Sequence, residues 1–201
     1  WKSELHLRLS PHRTRVVRWA AGWSRRPVMR RDVDGGPALL PQLLDALSAE
    51  GGELPPRVRV VLDDDLLFHR LAPADGPWQA GREAAAHALR VAVADEDLVV
   101  GTVLTPGGGH WLATGMSAAL LATLEAALSG RGQTLVAVDA ALGEDLRALG
   151  DTLPEDGLVV LPRTHAALVL RLVGGELAAL DLEPLEDGAD AATLDARVQA
   201  H

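Results

Sequence analysis

The sequence contains no cysteine, no tyrosine and a single phenylalanine, so five tryptophans supply nearly all of its aromatic side chains. The lack of cysteine excludes disulfide frameworks and cysteine-based zinc sites, which fits a reducing compartment. No stretch approaches the roughly 20 apolar residues of a membrane-spanning helix, and the first residues lack the pattern of a signal peptide. We therefore expect a cytoplasmic protein or soluble domain with an aliphatic core.

Positive charge is concentrated at the start of the chain. Residues 1–31 hold nine lysines and arginines against one acidic residue, whereas the rest of the chain holds ten basic and 27 acidic residues. This asymmetry is typical of a basic face for nucleic acid or anionic lipid. It also arises when arginines occupy the solvent-facing positions of an antiparallel sheet. We favour the second interpretation because no aromatic stacking platform accompanies the arginines.

Apolar periodicity predicts an α/β protein. Alternation over residues 5–9, 14–20 and 28–33 predicts an antiparallel meander of three strands. Leucines at helical spacing between residues 40 and 47 then predict a helix that ends at Gly51. The later predicted elements are strands at 58–62 and 66–71, a helix at 77–93, a hairpin at 98–104 and 110–116, a helix from Ser117 to Gly130, a strand at 135–138, a helix at 144–149, strands at 158–161, 165–173 and 176–182, and a helix at 191–200.

The helical stripes and the β-branched strand segments together predict a central core. Its expected members are Leu43, Leu47, Val60, Leu62, Leu121, Leu124, Val136 and Val138. All eight are aliphatic, as the composition requires. Large-to-small substitutions at such positions are expected to destabilise the fold strongly.

The middle of the chain resembles a known family. Residues 57–73, RVRVVLDDDLLFHRLAP, resemble the VVLSDxxVRYxxLPW segment of the PilM/GspL group, the actin-like assembly proteins of type IV pili and type II secretion systems. Residues 118–124, AALLATL, are similar to that group's aidxxLLxxL helix. Residues 132–138, GQTLVAV, stand where the group has a strand written Gl-l-sv-P. The resemblance covers roughly residues 57–182, and the N-terminal meander is compatible with it.

The resemblance implies a fold and a division into lobes. The expected fold is α/β, ribonuclease-H-like and actin-like, with mixed sheets and a second lobe that is truncated or degenerate. We expect a first lobe at residues 1–163, including an inserted subdomain of helix and hairpin at about 77–130. A partial second lobe is expected at residues 164–201.

Nucleotide-binding members of this fold place an Asp and glycine-rich turns in the first hairpin of each lobe, where backbone amides hold phosphates. Here the first hairpin, residues 9–13, reads LSPHR, without Asp or Gly, and Pro11 removes an amide donor. The second, residues 172–176, reads LVGGE, with glycines but no preceding Asp. This departure resembles GspL more than PilM. We therefore expect no ATP, no metal and no other cofactor.

Two other segments suggest chemistry that competes with an ordinary structural role. The three carboxylates of residues 63–65 follow a strand and could hold Mg²⁺, although neighbouring side chains of an extended chain point apart. Residues 106–110, PGGGH, contain the glycines of a phosphate loop, but no GK[ST] follows and both flanks are predicted strands. A solvated turn is the simpler interpretation of each segment. No catalytic residue is assigned, and we expect no enzymatic activity.

The resulting hypothesis is a non-enzymatic scaffold domain of a type II secretion or type IV pilus platform, on the cytoplasmic face of the bacterial inner membrane. The resemblance implies an assembly ATPase or a membrane-partner peptide as its partner, and a homodimer is left open. The alternative is a nucleotide-dependent actin-like or sugar-kinase-like enzyme, whereas nucleic acid is not expected. For the contact with an acidic partner or an anionic membrane we select Trp23, Arg25 and Arg26, because Trp and Arg are enriched at interface hot spots.

Overall fold

The computed structural model describes residues 2–22, 26–51, 53–94, 96–163 and 166–184. The chain divides into two compact units, Trp1–Leu66 with Ser117–Glu144, and Leu67–Met116 with Asp145–His201. Its elements are β1 (Glu4–Leu9), β2 (Arg13–Trp19), β3 (Pro27–Asp34), α1 (Leu40–Gly51), β4 (Arg57–Leu62), β5 (Phe68–Pro73), α2 (Trp78–Ala92), β6 (Leu98–Leu104), β7 (His110–Ser117), α3 (Ala118–Ser129), β8 (Thr134–Ala140), α4 (Ala141–Leu149), β9 (Gly157–Pro162), β10 (Ala166–Val173) and β11 (Glu176–Pro184).

The first unit is built on a five-stranded sheet in the order β3-β2-β1-β4-β8. The first three strands form the antiparallel meander that the alternation predicts. Strand β1 then pairs in parallel with β4, and β4 pairs in parallel with β8. Leu7 lies opposite Val16 on one side and Val60 on the other, and all three side chains are fully buried.

The core of this unit confirms half of the predicted positions. Leu47, Val60, Leu62 and Leu124 are buried. The other four predicted core residues, Leu43, Leu121, Val136 and Val138, are half-buried. Leu40, Leu44 and Leu128, which lie in the leucine stripes of the predicted helices, are also buried, and α3 buries Ala127 in addition. Strand β8 is the edge strand of the sheet, so fewer neighbours cover its valines.

The second unit contains two three-stranded sheets, β5-β7-β6 and β11-β10-β9. Helix α2 packs on the first through a buried cluster of Ala85, Leu89, Leu98, Trp111 and Ala113. In the second, β10 pairs antiparallel with both neighbours, and its first five residues are buried.

Strand β9 pairs with β10 across the predicted domain boundary at residues 163 and 164, and the domain assignment stays a prediction. Helix α4 begins at Ala141, three residues before the predicted start. The helix predicted at residues 191–200 lies outside the described residues. Within the described parts of the chain, no helix is long and apolar enough to cross a membrane.

Much of the basic charge of the meander is compensated by acidic residues of the same unit. Asp32 on β3 accepts hydrogen bonds from Arg15 at 2.7 and 3.3 Å and from Arg13 at 3.3 Å. Further ion pairs join Arg8 to Asp63, Arg31 to Glu50, Arg57 to Glu4 and Arg59 to Asp139. These pairs support the interpretation of the arginines as solvent-facing residues of a sheet.

The buried position of Leu124 leads to a stability prediction. Leu124→Ala should lower the free energy of unfolding by about 2–5 kcal/mol, because it leaves a cavity at a fully buried site. The matched control is Leu121→Ala, one turn earlier on α3, which is half-buried and should cost clearly less. Urea unfolding followed by circular dichroism measures both. A loss below about 1 kcal/mol at Leu124 would contradict the assigned core.

The Arg15–Asp32 pair predicts a pH-dependent contribution to stability. The hydrogen bond from Arg15, reinforced by the charges of Arg15, Arg13 and Arg30, lowers the pKa of Asp32, and the same pair raises the pKa of Arg15. Since the folded-state pKa of Asp32 lies below its unfolded value, the stabilisation is present above the unfolded value, about 3.9, and is lost as pH falls through the folded value.

Asp32→Asn should therefore lower the unfolding free energy at pH 7, by no more than about 1 kcal/mol because the pair is exposed. The difference from the unmodified chain should vanish as the pH falls below about 4. Asp34→Asn, an exposed carboxylate on the same strand, is the control and should change little at either pH. Equal destabilisation by Asp32→Asn across the whole pH series would refute the ion-pair explanation.

Candidate functional site

The two ends of the five-stranded sheet of the first unit are chemically different. Strands β1, β4 and β8 run parallel, so their carboxyl ends lie together at one end of the sheet and their amino ends lie together at the other end. Ligands of α/β proteins bind outside the carboxyl ends of the strands. The carboxyl end is therefore the first place to look for a nucleotide or metal site.

The hairpin at the carboxyl end is closed by its own chain. The buried Ser10 hydroxyl accepts a hydrogen bond from the Arg13 N–H at 3.0 Å and donates one to the Arg13 carbonyl at 3.1 Å. The Gly35 N–H donates to the His12 carbonyl at 2.7 Å. Gly36 lies so close to the Pro11 carbonyl that an added Cβ would collide with it. This turn therefore lacks the row of free amide groups that cradles a phosphate.

The acidic residues after β4 have separate structural roles. Asp63 accepts a hydrogen bond from Arg8 Nε at 2.7 Å, and its own N–H donates to the Leu9 carbonyl at 2.8 Å. Asp64 is fully buried and accepts a 3.4 Å hydrogen bond from the Leu142 N–H in the first turn of α4. Residues 64–66 form a 3-10 turn, and because Asp63 and Asp64 are buried, the prediction of a solvated turn is wrong here. Among the described residues, no three His, Cys, Asp or Glu are grouped so that they could hold a metal ion.

The glycine-rich turn between β6 and β7 serves packing within the second unit. Gly107 and Gly108 have φ values of 81° and 79°, which favour glycine. The carboxylate of Glu176 occupies the space that a side chain at position 109 would fill. The glycines therefore let the β6–β7 hairpin approach the β10–β11 hairpin. A carboxylate in this position opposes the binding of a phosphate. The turn therefore has a structural role, but it is packed against Glu176 and not solvated as predicted.

A cavity of about 250 Å³ lies at the opposite end of the sheet of the first unit. It is lined by the loops before β4 and β8 and by the end of α1, through Ser48, Glu53, Leu54, Pro56, Arg131, Gly132 and Gln133. Arg131 is held by Asp45, with Nε and Nη2 each 2.8 Å from a carboxylate oxygen, and by the carbonyls of Ala127 and Pro41. Its charge is therefore already compensated.

Gln133 is a largely buried residue of the cavity lining. The residue is 6% exposed, and its Nε2 donates to the Pro55 carbonyl at 3.1 Å. Its Oε1 is buried and accepts no hydrogen bond from the described residues. If the amide group of Gln133 were turned over, its Oε1 would face the Pro55 carbonyl oxygen, and both atoms are acceptors. The hydrogen bond to Pro55 therefore fixes the orientation of the Gln133 amide. Glu53, which also lines the cavity, is exposed. No local sequence pattern separates this glutamine from a surface residue.

The predicted contact residues belong to the turn between β2 and β3. Trp23 and Arg25 lie outside the described residues. Arg26 is exposed, and its carbonyl accepts a hydrogen bond from the Ala20 N–H at 3.1 Å, which closes the turn. Strand β2 runs antiparallel to β1, so the carboxyl end of β2 lies beside the amino end of β1. The connection from β2 to β3 therefore lies at the same end of the sheet as the cavity. Arg18 connects the two by donating to the Glu53 carbonyl at 3.4 Å.

Comparison with known proteins rests on structure. No family model matches the sequence, and no curated protein sequence matches it. A chain of the PilM–PilN type IV pilus biogenesis complex aligns with a TM-score of 0.65 at 18% identity, over 91% of this chain and 62% of that one. This chain therefore spans less than two thirds of the length of that relative.

Two further solved structures agree. A Bacteroides thetaiotaomicron protein with an actin-like ATPase fold and unknown function aligns with a TM-score of 0.60 at 13% identity, over 92% of this chain and 71% of that one. The cytoplasmic domain of EpsL, an inner membrane component of the type II secretion system of Vibrio cholerae, aligns with a TM-score of 0.54 at 17% identity, over 88% and 71%. The chain therefore has the actin-like α/β fold of these proteins, as its resemblance to the PilM/GspL group predicted.

Proposed function

We propose that this chain is a non-enzymatic scaffold domain of a type II secretion or type IV pilus assembly platform at the cytoplasmic face of the bacterial inner membrane. In this role it docks an assembly ATPase or a peptide of a membrane partner. The proposal draws on two of its structural neighbours, a chain of a pilus biogenesis complex and the cytoplasmic domain of a secretion-system component.

The observation that carries the proposal is the closed corner at the carboxyl ends of β1 and β4. In an actin-like fold this corner would have to present free amides and a carboxylate to Mg·ATP. Here the turn is occupied by its own hydrogen bonds and by the approach of Gly36 to Pro11. Asp63, whose N–H bonds to the Leu9 carbonyl at this corner, already pairs with Arg8 through its carboxylate. Binding without chemistry is therefore the better explanation of this fold.

The amino end of the same sheet supplies the chemistry of a docking site. Arg25 and Arg26 lie in the sequence between β2 and β3, and Arg26 is exposed. The neighbouring cavity is lined by polar residues that include Ser48 and the exposed Glu53. A matching partner segment would present carboxylates to the arginines.

The first test is thermal unfolding with Mg·ATP. A ligand at 100 times its dissociation constant stabilises the folded state by about 2.7 kcal/mol, whereas we expect no shift beyond that caused by Mg²⁺ alone. Isothermal titration calorimetry of the same samples should detect no micromolar binding, and no phosphate should be released. A concentration-dependent rise in melting temperature with Mg·ATP would instead favour the nucleotide-dependent enzyme.

The second test reverses charge at the predicted contact. The double variant Arg25→Glu, Arg26→Glu should keep the melting temperature but weaken capture of the assembly ATPase encoded in the same genome, most visibly at low salt. The matched control is Arg82→Glu, Arg90→Glu on α2, which changes net charge equally at two exposed arginines. Vesicles of phosphatidylglycerol and phosphatidylethanolamine provide a parallel membrane readout.

The outcomes of this second test separate the alternatives. Loss of ATPase capture with unchanged vesicle binding would identify a protein partner, and the reverse result would identify the membrane surface. If the two double variants capture the ATPase and bind vesicles equally, the β2–β3 turn is not the contact surface.

A further inference from the structure

Strand β6 is an open edge of the second unit. It is the last strand in the order β5-β7-β6, and no strand among the described residues pairs with its outer side. Its sequence, LVVGTVL, has no charged residue and no proline. Natural sheets protect exposed edges with lysine, proline, bulges or covering segments. An edge with neither charge nor proline therefore offers a place where another strand can pair.

One face of β6 is anchored and the other is open. Leu98 is buried in the cluster beneath α2, and Val100 and Leu104 pack against that cluster. On the other face Val99 is 42% exposed and Val103 is 55% exposed. Gly101 lies between them and is also exposed. The strand is therefore held firmly while it presents two valines to solvent.

The sequence of β6 is nearly palindromic about Gly101. In an antiparallel pair with a second β6, related by a two-fold axis through Gly101, Leu98 faces Leu104 and Val99 faces Val103. Only the pair of Val100 with Thr102 joins unlike residues. Two-fold symmetric interfaces require such self-complementarity. Because the strand carries no charge, self-pairing brings no like charges together.

The backbone supports the same register. The Thr105 N–H points to β7, since it donates to the His110 carbonyl at 2.9 Å. Peptide groups of a strand alternate between its two edges, so those of Val100 and Thr102 point outward while those of Gly101 point to β7. In the symmetric pairing Gly101 then forms a non-hydrogen-bonded pair, with Cα atoms about 4.5 Å apart. Val100 and Thr102 of each copy exchange hydrogen bonds on either side.

We propose that β6 pairs antiparallel with β6 of a second copy of this chain, on a two-fold axis that passes between the two Gly101 residues. The two β5-β7-β6 sheets then form one sheet of six strands. The pairing is independent of the proposed docking role. The paired surface is short, and interfaces of low area form weak, transient complexes. The dimer should therefore form at high local concentration, such as an assembly platform provides.

Cysteine cross-linking tests the axis, because the chain has no cysteine of its own. An added Cβ at Gly101 meets no atom within 4 Å, so Gly101→Cys fits the fold. The expected Cα separation lies within the range that a disulfide bridges. Mild oxidation should convert Gly101→Cys to a covalent dimer. Val173→Cys, at a valine that is also 55% exposed in the second unit, should remain largely monomeric.

A mixing experiment tests the register. Val99→Cys and Val103→Cys face each other across the proposed pair, so a mixture of the two variants should form a mixed disulfide rapidly. Each variant alone should not, because two copies of the same position lie about 13 Å apart along the strands. This second experiment keeps the proposal testable if Gly101→Cys fails to fold. Equal cross-linking of Val99→Cys alone and of the mixture would overturn the register.

Sedimentation equilibrium tests the association without a covalent bond. Val103→Lys should weaken self-association by about tenfold or more, because each dimer would place two ammonium groups against apolar valines. Val173→Lys, its match in residue type and exposure, should associate like the unmodified chain. A chain that stays monomeric up to millimolar concentration, or two lysine variants that dimerise equally, would overturn the proposal.

Discussion

Strand β1 is the element on which the first unit depends, because it is the only strand of its sheet that pairs antiparallel on one side and parallel on the other. Its inward residues, Leu5, Leu7 and Leu9, are fully buried. Shifting β1 by one residue would expose all three leucines and bury His6 and Arg8 instead. This cost fixes the register on both sides. It thereby places the Ser10–Arg13 turn beside Asp63 and the β2–β3 turn beside the loop that precedes β4.

The same register explains how a chain with a basic start and an acidic remainder folds without strong repulsion. Outward positions of β1 and β2 carry arginines, and Arg8, Arg13 and Arg15 each pair with a carboxylate of the same unit. Each exposed pair contributes little stability. Their main effect is to cancel the positive charge across the face of the meander. Positive charge is then left at particular sites such as Arg26 and Arg30, which favours local contacts over a broad nucleic-acid surface.

Sequence patterns predicted the order of the elements because it depends on local periodicity and turn residues. The meander, the helix after Pro37 and both hairpins lie close to their predicted positions. Burial along the helices was less predictable, since Ala127 was no obvious core residue beside so many leucines, and Leu43 and Leu121 are only half-buried. The pairing of β9 with β10 and the burial of Gln133 depend on contacts between distant segments. Local sequence patterns do not predict such contacts. The closed turn at Pro11 was predictable, because proline has no amide N–H and the turn contains no glycine.

The separation between the core and the carboxyl-end corner is compatible with the proposed scaffold role. The buried leucines of β1, α1 and α3 and the valines of β4 hold the sheet together, and none of them belongs to the Ser10–Arg13 turn. Residues of that turn can therefore change without loss of the core. Because Arg8 neutralises Asp63 and Gly36 packs against the Pro11 carbonyl, the corner makes the sheet more rigid and does not offer an open ligand site. Rigidity is what a docking surface requires, because a surface already in its bound shape loses less conformational entropy on binding.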